Sequence, residues 1–227
     1  MRMKKLTAIL SALIMVLALF AGCSGGGKVD DGNNTDSPDQ SPAAESSEPT
    51  NEYTLGNRTE TEWQSDWIGL KYTLTDDMVM ATDEEINQLM LSGTEMVYEN
   101  PEDAQPIIDY AGLTVVYEMM ATSVMDGSNL IVMVEKLPLS NMSESQYMNI
   151  LKQQINGMDV EVSYNDDSAR MVSGIEFTEF SYEMTTSGMT ISQNYLLHKI
   201  DDRMVVLTLS YSTPEQMDAI LSGLSAI

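Results

Sequence analysis

From Ser24 to Glu52 this chain has almost nothing to bury, and that gap decides where folding begins. The stretch opens with Ser24-Gly25-Gly26-Gly27, carries seven acids and holds one large aliphatic residue, Val29. Such a segment cannot bury enough apolar surface to offset the entropy of ordering it. It is expected to be a disordered, solvated spacer, spanning on the order of 30 Å as a flexible coil. Residues 53–62 are a polar transition marked by Tyr53 and Leu55. The folded domain is therefore expected at 57–227, with 23–56 as a tether and 1–22 as a separate leader. Overall, 43% hydrophobic residues suffice for a core. The net charge of −24 excludes nucleic acid as a partner, because phosphates would be repelled. One cysteine excludes an internal disulfide and any multi-cysteine zinc site, and one histidine removes most histidine-based constellations.

The leader begins with Arg2, Lys4 and Lys5 and continues as an apolar run from Leu6 to Phe20, interrupted by Thr7 and Ser11. A bilayer span needs ~20 residues, so this shorter run reads as a secretory signal. Its end, Leu19-Phe20-Ala21-Gly22-Cys23, resembles the lipobox of bacterial lipoproteins, with Phe20 at −3 where Leu is usual. The resemblance implies cleavage just before Cys23 and a diacylglyceryl group on its thiol. An unpaired thiol outside the cell would otherwise be a liability. Two acyl chains give stable membrane anchoring where one would be marginal. The alternatives are an uncleaved transmembrane anchor or a secreted chain with a stray thiol. Removal of the leader leaves eight basic residues against 35 acids, a net charge of −27. A body so acidic is expected to stand off an anionic membrane. The expected location is the extracytoplasmic face of the cell membrane, and a lipobox with an acidic tether suits a Gram-positive surface.

Beyond Trp63 the pattern changes. Trp63 to Leu74 is rich in aromatic and β-branched residues and predicts one or two short strands. Thr82-Asp83-Glu84-Glu85 and Ser143-Glu144-Ser145-Gln146 match the capping box. The first opens a short helix to about Ser92, and the second a helix carrying Tyr147, Ile150, Leu151 and Ile155 up to Asn156-Gly157. Residues 93–105 are polar and irregular, punctuated by Pro101 and Pro106. Leu113–Ser123 and Leu130–Leu137 read as strands around the hairpin turn Asp126-Gly127-Ser128-Asn129. Four more strands are expected at 159–164, 169–182, 188–199 and 203–211, joined at Asn165 to Ser168, Thr186 to Gly188 and Asp201-Asp202. Thr213 and Pro214 start a last helix with Met217, Ile220, Leu221 and Leu224 on one side. The order ββαββαββββα, with short turns, predicts one α+β domain built on a curved antiparallel sheet flanked by helices.

That order resembles the PsbP-like fold. The matching features are the Trp67-Ile68-Gly69-Leu70 strand and the Leu130–Leu137 strand leading into a helix. The hairpin from Tyr195 to Leu209 with its C-terminal helix also matches. The resemblance implies an accessory or binding module beside a membrane machine.

Catalytic chemistry is harder to assemble. His198, next to Lys199 and Asp201, would need a nucleophile and an orienting carboxylate close by. No Gly-x-Ser-x-Gly elbow or phosphate-binding glycine loop occurs. Asp76-Asp77, Asp166-Asp167 and Asp201-Asp202 fit either hard-cation binding or turn chemistry, and the latter is the expectation. Nineteen methionines suggest pliable packing at Met119, Met120, Met125, Met133, Met171, Met184, Met189 and Met204. Met78-Val79-Met80 is the one close approach to a soft-metal motif after the leader. Trp63 and Trp67 fit a carbohydrate platform or, more simply, a core. Arg58, Lys71, Lys136, Lys152, Arg170, Lys199 and Arg203 are too scattered for a nucleotide site. No catalytic residue, metal or cofactor is therefore expected, and Cys23 is the one assigned site, for lipidation. The functional expectation is a non-catalytic binding or assembly module for an envelope protein partner. The alternative is a small-molecule-binding or weakly hydrolytic domain with a pocket between sheet and helices.

Overall fold

The computed structural model describes residues 52–75, 77–89, 113–157, 161–186 and 189–227. The leader, Cys23, the spacer to residue 51, Asp76, Pro101, Pro106 and the Ser187-Gly188 turn lie outside the described residues. In chain order the strands are β1 (Asn57–Arg58), β2 (Glu62–Ser65), β3 (Leu70–Thr73), β4 (Met78–Met80), β5 (Val115–Ser123), β6 (Asn129–Lys136), β7 (Glu161–Tyr164), β8 (Ser168–Val172), β9 (Ile175–Thr186), β10 (Met189–Ile200), β11 (Arg203–Tyr211) and β12 (Leu224–Ala226). The helices are α1 (83–89), α2 (Glu144–Asn156) and α3 (Pro214–Ser222).

Strands β6 and β11 are buried along nearly their whole length. They pair antiparallel, with Val132 opposite Leu207, at the middle of an eight-stranded sheet ordered β4-β5-β6-β11-β10-β9-β7. β8 pairs with the other half of β9. A second, four-stranded sheet runs β1-β2-β3-β12.

Alternation along the central strands divides the core in two. The front face presents Leu130, Val132, Val134, Leu196, Val205, Leu207 and Leu209 to Trp63, Leu70 and Tyr72 of the small sheet and to Ile220 of α3. The back face presents Ile131, Met133, Phe180, Tyr195, Leu197 and Val206 to Tyr147, Met148, Leu151 and Ile155 of α2. The result is three layers, with the large sheet in the middle.

Caps fix where the helices start. Glu85 Oε2 accepts from the Thr82 backbone N–H at 2.8 Å while Thr82 Oγ1 accepts from Glu85 N at 3.2 Å. Ser143 and Gln146 make the same reciprocal pair at α2. At α3, Gln216 Oε1 accepts from Thr213 N at 3.0 Å.

The α+β class and the antiparallel pairing agree with expectation, but the sheet is two sheets. The segment 169–182 is no single strand. Ser173 (φ 52°) and Gly174 (φ 90°) turn it back as the β8–β9 hairpin. Positive φ at both central residues is the type I′ backbone favoured in two-residue hairpins. Leu224 belongs to β12, opposite Tyr72, and not to the last helix. β1, β4 and β12 are additional short strands.

Candidate functional site

The body takes hold of the incoming chain at one buried carboxylate. Glu118, 3% exposed, sits where the β5–β6 register shifts between Tyr117 and Met119. Such a bulge lets two consecutive side chains share one face. Glu118 thus joins Met119 on the front, against Trp63. Three donors converge on it: Tyr53 Oη at 2.8 Å, Gly56 N at 2.8 Å and Trp63 Nε1 at 3.1 Å. Arg203 lies over the Tyr53 ring at 4.3 Å, and Tyr53 meets Trp67 edge-on at 5.1 Å. Burial, followed by the Glu118 bond, pushes the Tyr53 hydroxyl well above the usual tyrosine range. Gly56 permits this approach, because a Cβ there would stand 2.5 Å from Glu118 Oε2 and 2.8 Å from Gln64 O. The arrangement is a clamp that fixes residues 53–56 to the body.

A second buried acid lies behind the sheet. Glu135 of β6, 6% exposed, accepts a hydrogen bond from the Tyr147 hydroxyl of α2. Desolvation raises its carboxyl to about 7, the Tyr147 bond pulling the other way. Tyr117 presents a buried hydroxyl with no partner among the described residues, and burial, with the nearby Glu135 charge, raises it far above the usual range. The Glu135 carboxyl is sealed between sheet and helix, and neither it nor Glu118 is suggested by any local motif in the sequence.

His198 lies at an open depression with Glu144, Gly174, Ile175, Glu176 and Thr178. Its Nδ1 is 3.0 Å from the Glu176 carbonyl, and its ring is 5.4 Å from that of Phe177. The nearest oxygen partner is thus backbone, not an orienting carboxylate. Of the aspartate pairs, Asp201 shows left-handed turn geometry, while Asp77 and Asp167 bond other side chains. Asp77 accepts from Ser123 Oγ at 2.6 Å, Asp167 pairs with Lys152, and Asp201 takes a left-handed φ of 52° in the β10–β11 turn. Among the described residues no group of three or more His, Cys, Asp or Glu is assembled that could hold a metal. Trp63 and Trp67 are both core residues. Met78 and Met80 pack against the same cluster, while Met119, Met133, Met184 and Met204 are buried; Met125 and Met171 are exposed.

Most cations of the body are half-buried and engaged with groups of the same chain. Arg58 pairs with Asp83, Lys71 with Glu62, Lys152 with Asp167 and Arg170 with Glu179. Lys199 Nζ donates to the Ser140 carbonyl at 2.7 Å, and Arg203 covers Tyr53. Six of the seven cations in the body are thus engaged internally, and the outward field is dominated by carboxylates.

No family model matches this chain, and no curated protein matches it either. Several solved structures are similar in shape, including two whose nature is known. One is the solution structure of cyanobacterial PsbP (CyanoP) from Synechocystis sp. PCC 6803, with a TM-score of 0.45 and 10% identity, covering 76% of this chain and 95% of that one. The other is LpqN, involved in cell envelope biogenesis of Mycobacterium tuberculosis, with a TM-score of 0.40 and 10% identity, covering 69% of this chain and 82% of that one. Likenesses this distant say nothing about partner or activity.

Proposed function

We propose that the chain is a lipid-anchored, non-catalytic envelope module, held by a diacylglyceryl group on Cys23 and presenting its α+β body to an envelope protein partner. The observation that carries the reading is the clamp at the join. Glu118 gathers donors from Tyr53, Gly56 and Trp63 at the point where the polar segment meets the body. A pull on that segment is therefore delivered to β5 of the large sheet. The acidic exterior supports a body that stands off anionic lipid and favours partners with basic surfaces. The rival reading, a hydrolytic or ligand-binding pocket between sheet and helices, wants a perturbed acid open to solvent. Glu135 is the perturbed acid, but it is 6% exposed and capped by Tyr147.

Replacing Cys23 with Ala tests the anchor. Membrane fractionation should show the protein move to the medium or persist as an uncleaved precursor. Mass analysis of the wild-type protein should place two acyl chains through a glyceryl thioether on Cys23. An unmodified Cys23 in a membrane-bound, full-length chain would overturn the proposal. Photocrosslinking from the body in intact cells tests the partner; crosslinks confined to lipid or to the protein's own copies would count against it.

A further inference from the structure

At the ends of β6, β10 and β11, beside the β5–β6 turn, lies a cavity of about 40 Å³ lined by Asp126, Ser128, Asn129, Ile191, Ser210 and Ser212 with neighbouring backbone. Its lining is more apolar than polar, with Tyr211 beside Ile191, and the polar part comes from one carboxylate, serine hydroxyls and an amide. No lysine or arginine lines it. Asn129 is opposite Ser210 in the ladder, and Ser210 is opposite Gln193, so all three point to the back face. Gln193 Nε2 donates to Ser210 Oγ at 3.0 Å. Asn129 is 1% exposed and spends its Nδ2 on the Gly127 carbonyl at 3.3 Å. Its Oδ1, however, is buried with no hydrogen-bond partner among the described residues. Asp126 accepts from Ser128 N at 2.9 Å and from Gln216 Nε2 at 2.7 Å, with the Ser123 and Ser128 hydroxyls also turned to it, and its carboxyl is held below the usual range, so it stands there as a negative charge.

An unpaired buried acceptor is costly, so its persistence points to an occupant that donates. The cavity is roomier than the roughly 10–15 Å³ that a single water needs, so it admits a small polar group together with the carbon that bears it. Within a chain of net charge −24, a cavity with a carboxylate at its wall and no cation rejects anions. A primary ammonium has the matching features: one positive charge, three donors and the size of a water molecule. Ile191 offers an apolar wall to the methylene next to the nitrogen. We propose that this cavity is a binding site for a primary ammonium group, either the end of a lysine side chain on another protein or a free small amine. The site stands independently of the anchor on Cys23.

The test is amide chemical-shift titration of the full chain in detergent, with methylammonium chloride as the probe at constant ionic strength. Saturable shifts should concentrate at Ser128, Asn129, Ser210 and Ser212. Tetramethylammonium, equally charged but without donors and too large, should leave those amides unsaturated. Asp126→Asn and Asn129→Leu should each weaken binding by about tenfold, the first at an exposed position where the fold is not at stake. N-acetyl-lysine methylamide and cadaverine then separate the two sources, and saturable binding of either sustains the site. Shifts spread evenly over the acidic surface would overturn the proposal. So would equal binding of tetramethylammonium, tighter saturation by sodium or potassium, or unchanged affinity in Asp126→Asn. A cavity that keeps only water in the presence of the probe would overturn it as well.

Discussion

Replacing Glu135 with Gln should make this protein more stable above neutral pH and leave it nearly unchanged at acidic pH. The carboxyl stands in the interface between β6 and α2, where the Tyr147 hydroxyl bonds it and Tyr117 lies within electrostatic reach. Burial lifts it from the ordinary glutamate value of 4.5 to about 7. Folding therefore favours the protonated form. The folded state binds more protons than the unfolded chain between those two values, so stability falls as pH rises through that window. Below the unfolded value the contribution is fully present; above the folded value it is gone. At 1.36 kcal/mol per pKa unit, the loss across the window is roughly 3 kcal/mol. Gln imitates the neutral acid: its Oε1 still accepts from Tyr147, and it has no charge to bury. Urea denaturation of both proteins from pH 4 to 8.5 is the assay. Plotting the difference between them removes the background from the many exposed carboxylates. The expected difference is close to zero at pH 4 and grows to roughly 3 kcal/mol in favour of Glu135→Gln at pH 8. A difference that stays flat with pH, or a variant less stable than wild type at pH 8, would refute the reasoning.

The clamp gives two further expectations. Gly56→Ala drives a methyl group to 2.5 Å from Glu118 Oε2 and 2.6 Å from Trp63 Nε1, so it should destabilise by about 1–3 kcal/mol in urea. Glu118→Ala leaves the donors of Tyr53, Gly56 and Trp63 without their acceptor. It should cost about 1–3 kcal/mol and speed hydrogen exchange at the Gly56 amide, and unchanged exchange there would argue against a clamp. Gly174→Ala meets no atom within 4 Å, so its penalty is only that of φ +90°. A loss of about 1–2 kcal/mol by thermal denaturation is expected, and a neutral result would mean the β8–β9 turn relaxes to another form.

The parts of the fold legible in the sequence are those where a signal is local. The capping pairs Thr82/Glu85 and Ser143/Gln146 mark helix starts because both partners lie within one turn. β11 emerges at 203–211 because a run buried on both faces is apolar throughout and ends in turn residues. Ser173-Gly174 carried a turn signal too. It was masked by strand-like residues on both sides, so the hairpin read as one long strand. β12 is three residues long, and Leu224 suits a helical stripe as well as a strand partner for Tyr72. The site was less legible than the fold. Glu118 and Glu135 each lie inside an apolar strand, and their partners Tyr53, Trp63 and Tyr147 lie 65, 55 and 12 residues away. Only the three-dimensional pairing separates these two carboxylates from the other 33 acids.

The bulge in β5 explains how both acids can exist in one sheet. Toward the β5–β6 turn, Ala121 and Met119 face the front and Met120 the back. Regular alternation continued from that end would send Glu118 to the back and Tyr117 to the front. Glu118 would then share the α2 side with Glu135, and two carboxyls under one helix repel unless one is neutral. The extra residue resets the phase. Glu118 reaches Trp63 and the incoming chain, while Tyr117 turns back toward Glu135 and Tyr147. The sequence Val115-Val116-Tyr117-Glu118-Met119-Met120 hides this reset, because large side chains of similar character stand on either side of it and no glycine marks the bulge. The register near the turn, set by Thr122 opposite Asn129, and the register near Val115, opposite Glu135, can be satisfied together only with that one unpaired residue. The clamp at Glu118 is therefore a consequence of how β5 reconciles its two ends.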